Sequence, residues 1–254
     1  MKQFQQFPKD WQIVELGKSG LEIIDGDRGK NYPKRDEFED EGFCLFLNTG
    51  NIKSDSFWFG DCNFITEAKD AVLRKGKLKR NDIILTTRGT IGAVAFYHDQ
   101  IPFDHMRINS GMVVIRCPRN LEPEFIFLLL KSPVLKAQYT LYSSGAAQPQ
   151  LPIKDMRRIN LPMPPKTVQR NIAGILRSYD ELIANNHRRI ELLESMAESI
   201  FKEWFVRFRF PGYRTTEFKN GFPQDWNLRP FSELVTVKPK EATDKEEELS
   251  LIHI

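Results

Sequence analysis

Cysteine is scarce in this 254-residue chain: Cys44, Cys62 and Cys117 are far apart, odd in number and form no Cys-x-x-Cys pair. That excludes a disulfide scaffold and a zinc knuckle and points to a reducing, cytoplasmic compartment. Met1 to Asp10 are polar, so no secretory leader is expected. The longest apolar run, Phe125–Leu130, is far too short to span a bilayer, and no membrane role is expected. A Gly-x-x-x-x-Gly-Lys-Ser/Thr motif is lacking, which removes the usual phosphate-cradling ATP loop. An excess of one charge is lacking too, since 37 Lys and Arg meet 34 Asp and Glu for a net +3. Such a balance neither demands nor excludes a nucleic acid, and the placement of the charges decides. What remains, with 41% hydrophobic and 28% charged residues, is an ordinary globular protein of one large domain or two small ones.

Three textures follow one another. Up to about residue 163, short runs rich in Val, Ile, Phe and Tyr (Asp82–Leu85, Gly92–Tyr97, Gly111–Cys117) predict strands. Turns at Asp25-Gly26, Thr49-Gly50-Asn51 and Arg88-Gly89-Thr90 separate such runs. Glu124–Lys131 predicts a short helix, started near Pro123 and stopped before Pro133. The fold class is therefore α/β (α+β), dominated by strands.

Pro162, Pro164 and Pro165 punctuate the next boundary, and Thr167 is the expected N-cap of a long helix. Ile172, Leu176, Tyr179, Ile183, Asn186, Ile190, Leu193, Ala197, Ile200 and Trp204 then recur in alternating steps of four and three. This heptad seam predicts a coiled-coil-type spacer or association helix, roughly 60 Å long at about 1.5 Å per residue. A plain packing stripe within one domain is the alternative. Asn186 is its polar interruption, a device that fixes register at a cost in stability.

Past the helix a segment returns. Phe7-Pro8-Lys9-Asp10-Trp11 reappears 215 residues later as Phe222-Pro223-Gln224-Asp225-Trp226. Coming after a helical spacer, it predicts that a second copy of the first domain begins near residue 222 and is cut short. The tail Leu249–Ile254 fits no structural role.

Catalytic constellations are thin. Asp61 with Glu67 and Lys69 has the composition of a Mg²⁺-dependent nuclease site, but no strand-like run surrounds it. His98 and His105, near Asp99 and Asp104, lack a third ligand at metal-binding spacing. Pro162-Met163-Pro164-Pro165 lacks the leading Asn or Asp and the trailing aromatic of an amino-methyltransferase loop. No catalytic and no metal residue is therefore assigned.

The positive signals are basic and amide-bearing turns. Arg28, Lys30, Asn31, Tyr32 and Lys34 form one; Asn48, Thr49 and Asn51 a second; Arg88 and Thr90 a third. Arg74, Lys75, Lys77, Lys79 and Arg80 place five cations in seven residues, with Lys77 singled out as a phosphate contact. Lys and Arg neutralise phosphates, while Asn, Gln and Arg can pair with base edges. A solvated basic surface is the bland alternative.

The segment from Leu141 to Tyr213 then becomes recognisable. It contains Ser144-Gly145-Ala146-Ala147-Gln148-Pro149-Gln150-Leu151-Pro152, Asp155, Ile159 and Pro162-Met163-Pro164-Pro165. It continues through Gln169-Arg170-Asn171-Ile172, Asp180-Glu181-Leu182-Ile183, Asn185-Asn186 and Phe201-Lys202-Glu203-Trp204-Phe205-Val206. With Lys79–Gly92, Asn109-Ser110-Gly111 and the opening Pro8-x-x-Trp11, this resembles the specificity subunit of type I restriction–modification systems.

The resemblance implies a target recognition domain over 1–163, a spacer helix over 164–208, and a linker with a truncated second recognition domain over 209–254. It implies a non-catalytic subunit that binds double-stranded DNA at a bipartite site. It would direct methyltransferase and restriction subunits, which carry S-adenosylmethionine, ATP and Mg²⁺; no cofactor is expected in this chain. A self-pairing half-subunit, homodimeric through the spacer and reading a palindromic gapped site, is the runner-up, ahead of the stand-alone nuclease. Gly145 and Gln148 match the family's Gly-x-x-Gln loop, which either presents Gln148 to DNA or fastens the domain to the spacer. Asp155 and Ile159 are expected to be structural, and Asn185 and Asn186 fall at the spacer midpoint.

Overall fold

The computed structural model describes residues 7–53, 55–145, 149–227 and 229–235, and the chain divides into two compact units between Leu182 and Ile183. The first unit opens with strands β1 (Gln12–Glu15), β2 (Glu22–Asp25), β3 (Cys44–Leu47), β4 (Ile52–Lys53), β5 (Ser56–Phe57) and β6 (Phe64–Ile65). Helix α1 (Glu67–Val72) leads to β7 (Ile83–Thr86), β8 (Val94–Phe96), β9 (Met106–Ile108) and β10 (Met112–Arg116). Helices α2 (Pro123–Leu130), α3 (Pro133–Tyr142) and α4 (Ile153–Met156) precede β11 (Asn160–Met163) and the long α5 (Lys166–Phe201).

Two sheets organise this unit. One is antiparallel, in the order β2-β10-β7-β8; the other is mixed, in the order β6-β3-β9 with β3 and β9 parallel. The antiparallel sheet is buried on both faces, which explains why its strands are continuous apolar runs instead of alternating ones. Ile83, Leu85, Val113 and Ile115 point into a core shared with α2 and α3. Ile84, Met112 and Val114 point the other way, onto Leu45, Leu47, Met106 and Ile108 of the mixed sheet.

The three expected strands and α2 lie within a residue or two of their predicted positions. Helix α2 ends before Pro133 as expected, but that proline also opens a second helix. Ser132 caps a new helix there, its Oγ accepting from the Leu135 N–H at 3.4 Å, with Pro133 in the first helical position, where a missing N–H costs nothing. Helix α1 follows a Thr66 cap in the same way.

The β1–β11 ribbon passes directly into α5, and the root of that helix is fixed to the domain. Gln169, 2% exposed, accepts from the Glu122 N–H at 3.0 Å and donates to the Pro164 carbonyl at 2.8 Å. Ala173 is buried, and Ile172 packs at the core's edge. Arg170 pairs with Glu122, Arg177 with Glu124 and Lys131 with Asp180. From Gly174 to Phe201 every residue is exposed. The helix starts at Lys166, so Thr167 lies in its first turn instead of capping it. It ends as an α-helix at Phe201, where a π-helical turn, Lys202–Val206, carries Trp204 out of α-helical register.

In the second unit, β12 (Phe218–Lys219) and β13 (Phe222–Pro223) form a hairpin around Asn220 and Gly221, both at positive φ, as an Asn-Gly turn requires. The Trp226 ring lies 5.7 Å from the rings of Phe208 and Phe210 and 5.8 Å from that of Phe205. A short helix α6 (Phe231–Leu234) follows. The sequence repeat has a structural counterpart: Trp11 N–H donates to the Pro8 carbonyl at 3.0 Å, and Trp226 N–H to the Pro223 carbonyl at 3.0 Å. Beyond the turn the copies diverge. Leu16 is fully buried, whereas Phe231, 215 residues later, is 76% exposed. The charged tail, 236–254, lies outside the described residues.

Candidate nucleic-acid interface

Topology brings the polar turns to one end of the first unit. β2 and β7 both run antiparallel to β10, so their C-terminal ends meet the start of β10. β3 runs parallel to β9, so its C-terminal end lies beside that of β9. The turn linking β9 to β10, Asn109-Ser110-Gly111, is therefore the point on which the other loops converge. Asn109 shapes it, its N–H donating to the Leu47 carbonyl and its Oδ1 accepting from the Gly111 N–H, both at 2.9 Å.

Each loop touches this hub. The Arg28 guanidinium donates to the Ser110 carbonyl at 3.3 Å and to Asp25 at 3.1 Å. A Cβ on Gly26 would lie 2.3 Å from the Asn109 carbonyl oxygen, so only glycine permits this approach. The Thr49 methyl lies against Gly111. The Gly111 carbonyl accepts from the N–H groups of Thr87 (2.8 Å) and Arg88 (3.2 Å) and from the Thr87 hydroxyl (2.9 Å). Arg88 forms a β-bridge with Gln150, and Leu151 N–H donates to the Thr87 carbonyl at 2.9 Å, which ties in Gln150 and Leu151. Arg28, Thr49 and Arg88 are thus brought together, and Thr90 follows Arg88 in the same turn; Arg88 and Thr90 are exposed and Thr49 partly so.

The remaining candidates sit elsewhere or are engaged. Lys30 and Asn31 line a cavity of about 350 Å³ with Asp27, Gly29 and Arg74. Lys34 is exposed at the start of a 3₁₀ turn. Tyr32 packs edge-on against Phe46, 5.6 Å between rings, as part of a small core. Asn48 accepts from the Gly50 N–H at 2.7 Å, capping the 3₁₀ turn Thr49–Asn51. Asn51 is 1% exposed; it accepts from the Asn48 N–H and donates to the Trp58 and Asp61 carbonyls, a position that shapes the loop instead of facing solvent. Lys77 pairs with buried Asp70, so its charge is already engaged. Gln148 lies outside the described residues.

Two features escaped the sequence reading. Asp27, 5% exposed, accepts from the Gly29 and Arg74 N–H groups, each at 2.8 Å, and clamps two loops together. Burial pushes its carboxyl up, but the backbone donors Gly29, Arg74 and Lys75 outweigh that and hold it below its ordinary value. An Asp two residues before a Gly is a readable Asx-turn signal; the long-range bond to Arg74 is not. The second is Trp58, 39% exposed, with the Lys53 ammonium 3.1 Å above its ring.

The decoy sites disperse. Lys69 pairs with Glu37 at 2.6 Å, and His105 stacks on Phe43 at 4.2 Å while His98 lies beside Phe96. Among the described residues no group of three His, Cys, Asp or Glu is placed to hold a metal. No helix among them is long and apolar enough to cross a membrane. On α5, Leu176, Tyr179, Ile183, Ile190, Leu193 and Ile200 are all exposed, as are Asn186 within the same seam and Trp204 beyond it. Ile172 instead belongs to the domain core's edge.

The first unit is an α+β domain that leads into a long exposed helix. The fold is similar to the S subunit of a type I restriction–modification system from M. genitalium, with TM-score 0.54 and 17% identity over 80% of this chain and 48% of that one. It is also similar to the HsdS subunit from Thermoanaerobacter tengcongensis, with TM-score 0.51 and 19% identity over 79% and 46%. Residues 8–195 match the type I restriction modification DNA specificity domain, and the chain belongs to that family. Among curated proteins it is 25% identical over 240 residues to the type I restriction enzyme MjaIX specificity subunit of Methanocaldococcus jannaschii, covering 92% of this chain and 53% of that protein. It is 28% identical over 204 residues to the HindI specificity subunit of Haemophilus influenzae, covering 78% and 41%. The chain thus spans about half the length of the curated relatives it matches.

Proposed function

We propose that this chain reads DNA sequence for a type I restriction–modification assembly. The loops around Asn109–Gly111 contact one half of a bipartite site, and α5 pairs with another helix to set the distance to the second half. The chain itself is non-catalytic. Methyltransferase subunits supply the S-adenosylmethionine chemistry, and restriction subunits supply ATP- and Mg²⁺-dependent translocation and cleavage. One observation carries this reading: exposed Arg28 and Arg88 belong to separate loops that meet on a single turn at one end of the sheets. Direct readout needs such a clustered set of donors and acceptors, since base edges are read by several side chains at once.

A second reading is favoured by the uncovered stripe of α5. Two copies of this chain would pair through Leu176, Tyr179, Ile183, Ile190, Leu193 and Ile200 and read a palindromic site. Co-expression with its methyltransferase subunit in a methylation-free host, followed by mapping of modified bases, tests both. A gapped motif is expected: asymmetric if a different second reading head is present, palindromic if two copies pair. Soluble complex without any sequence-dependent methylation would contradict the self-pairing reading, and its persistence after a second reading head is supplied would contradict the first.

A further inference from the structure

We propose that the cavity between the 27–31 and 74–75 loops holds a backbone phosphodiester of duplex DNA, with Arg74 and Lys30 as charge partners and Asn31 as a neutral donor. The proposal rests on the DNA-recognition reading and deepens it, by naming a site that fixes position instead of sequence.

The cations around this cavity differ in whether an acid already holds them. In this part of the fold Arg28 is paired with Asp25 and Lys77 with Asp70. Lys30 and Arg74 are exposed, and neither forms an ion pair among the described residues. Both line the same cavity. The one acidic residue lining it, Asp27, is buried, and its two oxygens accept from the Gly29 and Arg74 N–H groups. Asp27 therefore draws the two loops together through its backbone donors, and its charge attracts the Arg74 guanidinium without a direct ion pair. Asn31 donates one amide N–H to the Val72 carbonyl at 3.3 Å, and a primary amide has a second to offer. Gly29 leaves the wall open: a Cβ there would lie 3.1 Å from the Arg74 guanidinium.

The Arg74 loop is also held rigidly. Arg107, 5% exposed, pairs with Asp70 and donates to the carbonyls of Asp70, Leu73 and Lys75, which fixes the bend on both sides of Arg74. A guanidinium presented on such a bend offers a planar fork of donors to two phosphate oxygens, and an ammonium beside it adds a point charge. The cavity also adjoins the loop hub, because Arg28, next to Gly29, reaches the Ser110 carbonyl. A phosphate there would set the register in which the hub meets the bases.

The test is the salt dependence of binding of the full chain to a random-sequence duplex, across about 50–200 mM salt. Arg74→Ala and Lys30→Ala are each expected to lower the slope of log affinity against log salt by about one, with equal loss for every sequence. Arg74→Lys is expected to retain the slope, and unchanged melting temperatures would show that the exposed substitutions leave the fold intact. Unchanged slopes in both alanine variants, with wild-type binding present, would overturn the cavity assignment alone. A sequence-dependent loss at Arg74 would overturn it as well, since that residue would then be reading a base. Absence of salt-dependent DNA affinity in the wild type would overturn the recognition reading itself.

Discussion

Asp70 and Arg107 are both about 5% exposed and form a buried ion pair, extended by Lys77. Removing Arg107 leaves Asp70 with Lys77 alone and three carbonyls without their donor, and breaking such a buried pair typically costs about 3–5 kcal/mol. We expect Arg107→Ala to lose stability of that order in urea denaturation and to weaken DNA binding through disorder of the Arg74 bend. Burial alone would raise the Asp70 carboxyl, but hydrogen bonds from Lys77 and Arg107 hold it below its ordinary value of 3.8. A carboxyl depressed in the folded state contributes stability that is present above its unfolded value and lost as pH falls through the folded one. Acid unfolding of the wild type should therefore continue to steepen below pH 3.8, and that part of the pH dependence should be missing in Asp70→Asn. At the hub, Gly26→Ala places a methyl 2.3 Å from the Asn109 oxygen. The loops must separate, and we expect about 1–3 kcal/mol of destabilisation, the usual cost of overpacking, together with lost DNA affinity. Residues are also where sequence reading reached its limit. Asn51 and Lys77 have the chemistry of DNA contacts, yet one shapes its loop and the other serves Asp70. Polar loop residues cap, brace and contact with the same groups, and only the tertiary partner distinguishes the uses.

At the scale of elements, α5 was the most legible part of the chain, because a 3–4 periodicity held over many turns has no other regular structure to fit. Its end was not legible: the α-helix gives way to a π-helical turn at Lys202, in a cluster where the Phe201 and Phe205 rings lie 5.3 Å apart. That packing is set by side-chain shape, and apolar spacing does not encode it. Helix α3 was missed for a different reason, since a proline that ends one helix is equally suited to begin the next. The root and the free face of α5 make separable predictions. Gln169→Ala leaves the Glu122 N–H and Pro164 carbonyl without their buried partner, and a stability loss of about 1–3 kcal/mol is expected from thermal or urea unfolding. Ile183→Asp with Leu193→Asp, both on the exposed stripe, should leave the melting temperature unchanged but abolish helix pairing in analytical ultracentrifugation. A paired species that survived the double substitution would remove the seam as the association surface.

At the scale of the whole molecule, the family and the α+β class with its long helix were readable in the sequence. The convergence of loops from residues 26, 49, 88 and 111 follows from sheet order and strand direction, which local patterns do not specify. That convergence is the basis of the central claim, that one end of the first unit reads base sequence. Selection from a random duplex library by the intact chain tests it most directly. We expect enrichment of a short defined motif, which Arg88→Ala weakens or relaxes at particular positions while Arg74→Ala lowers recovery of all sequences alike. Recovery of DNA with no enriched motif, or a motif unchanged by every substitution around Asn109–Gly111, would contradict the account.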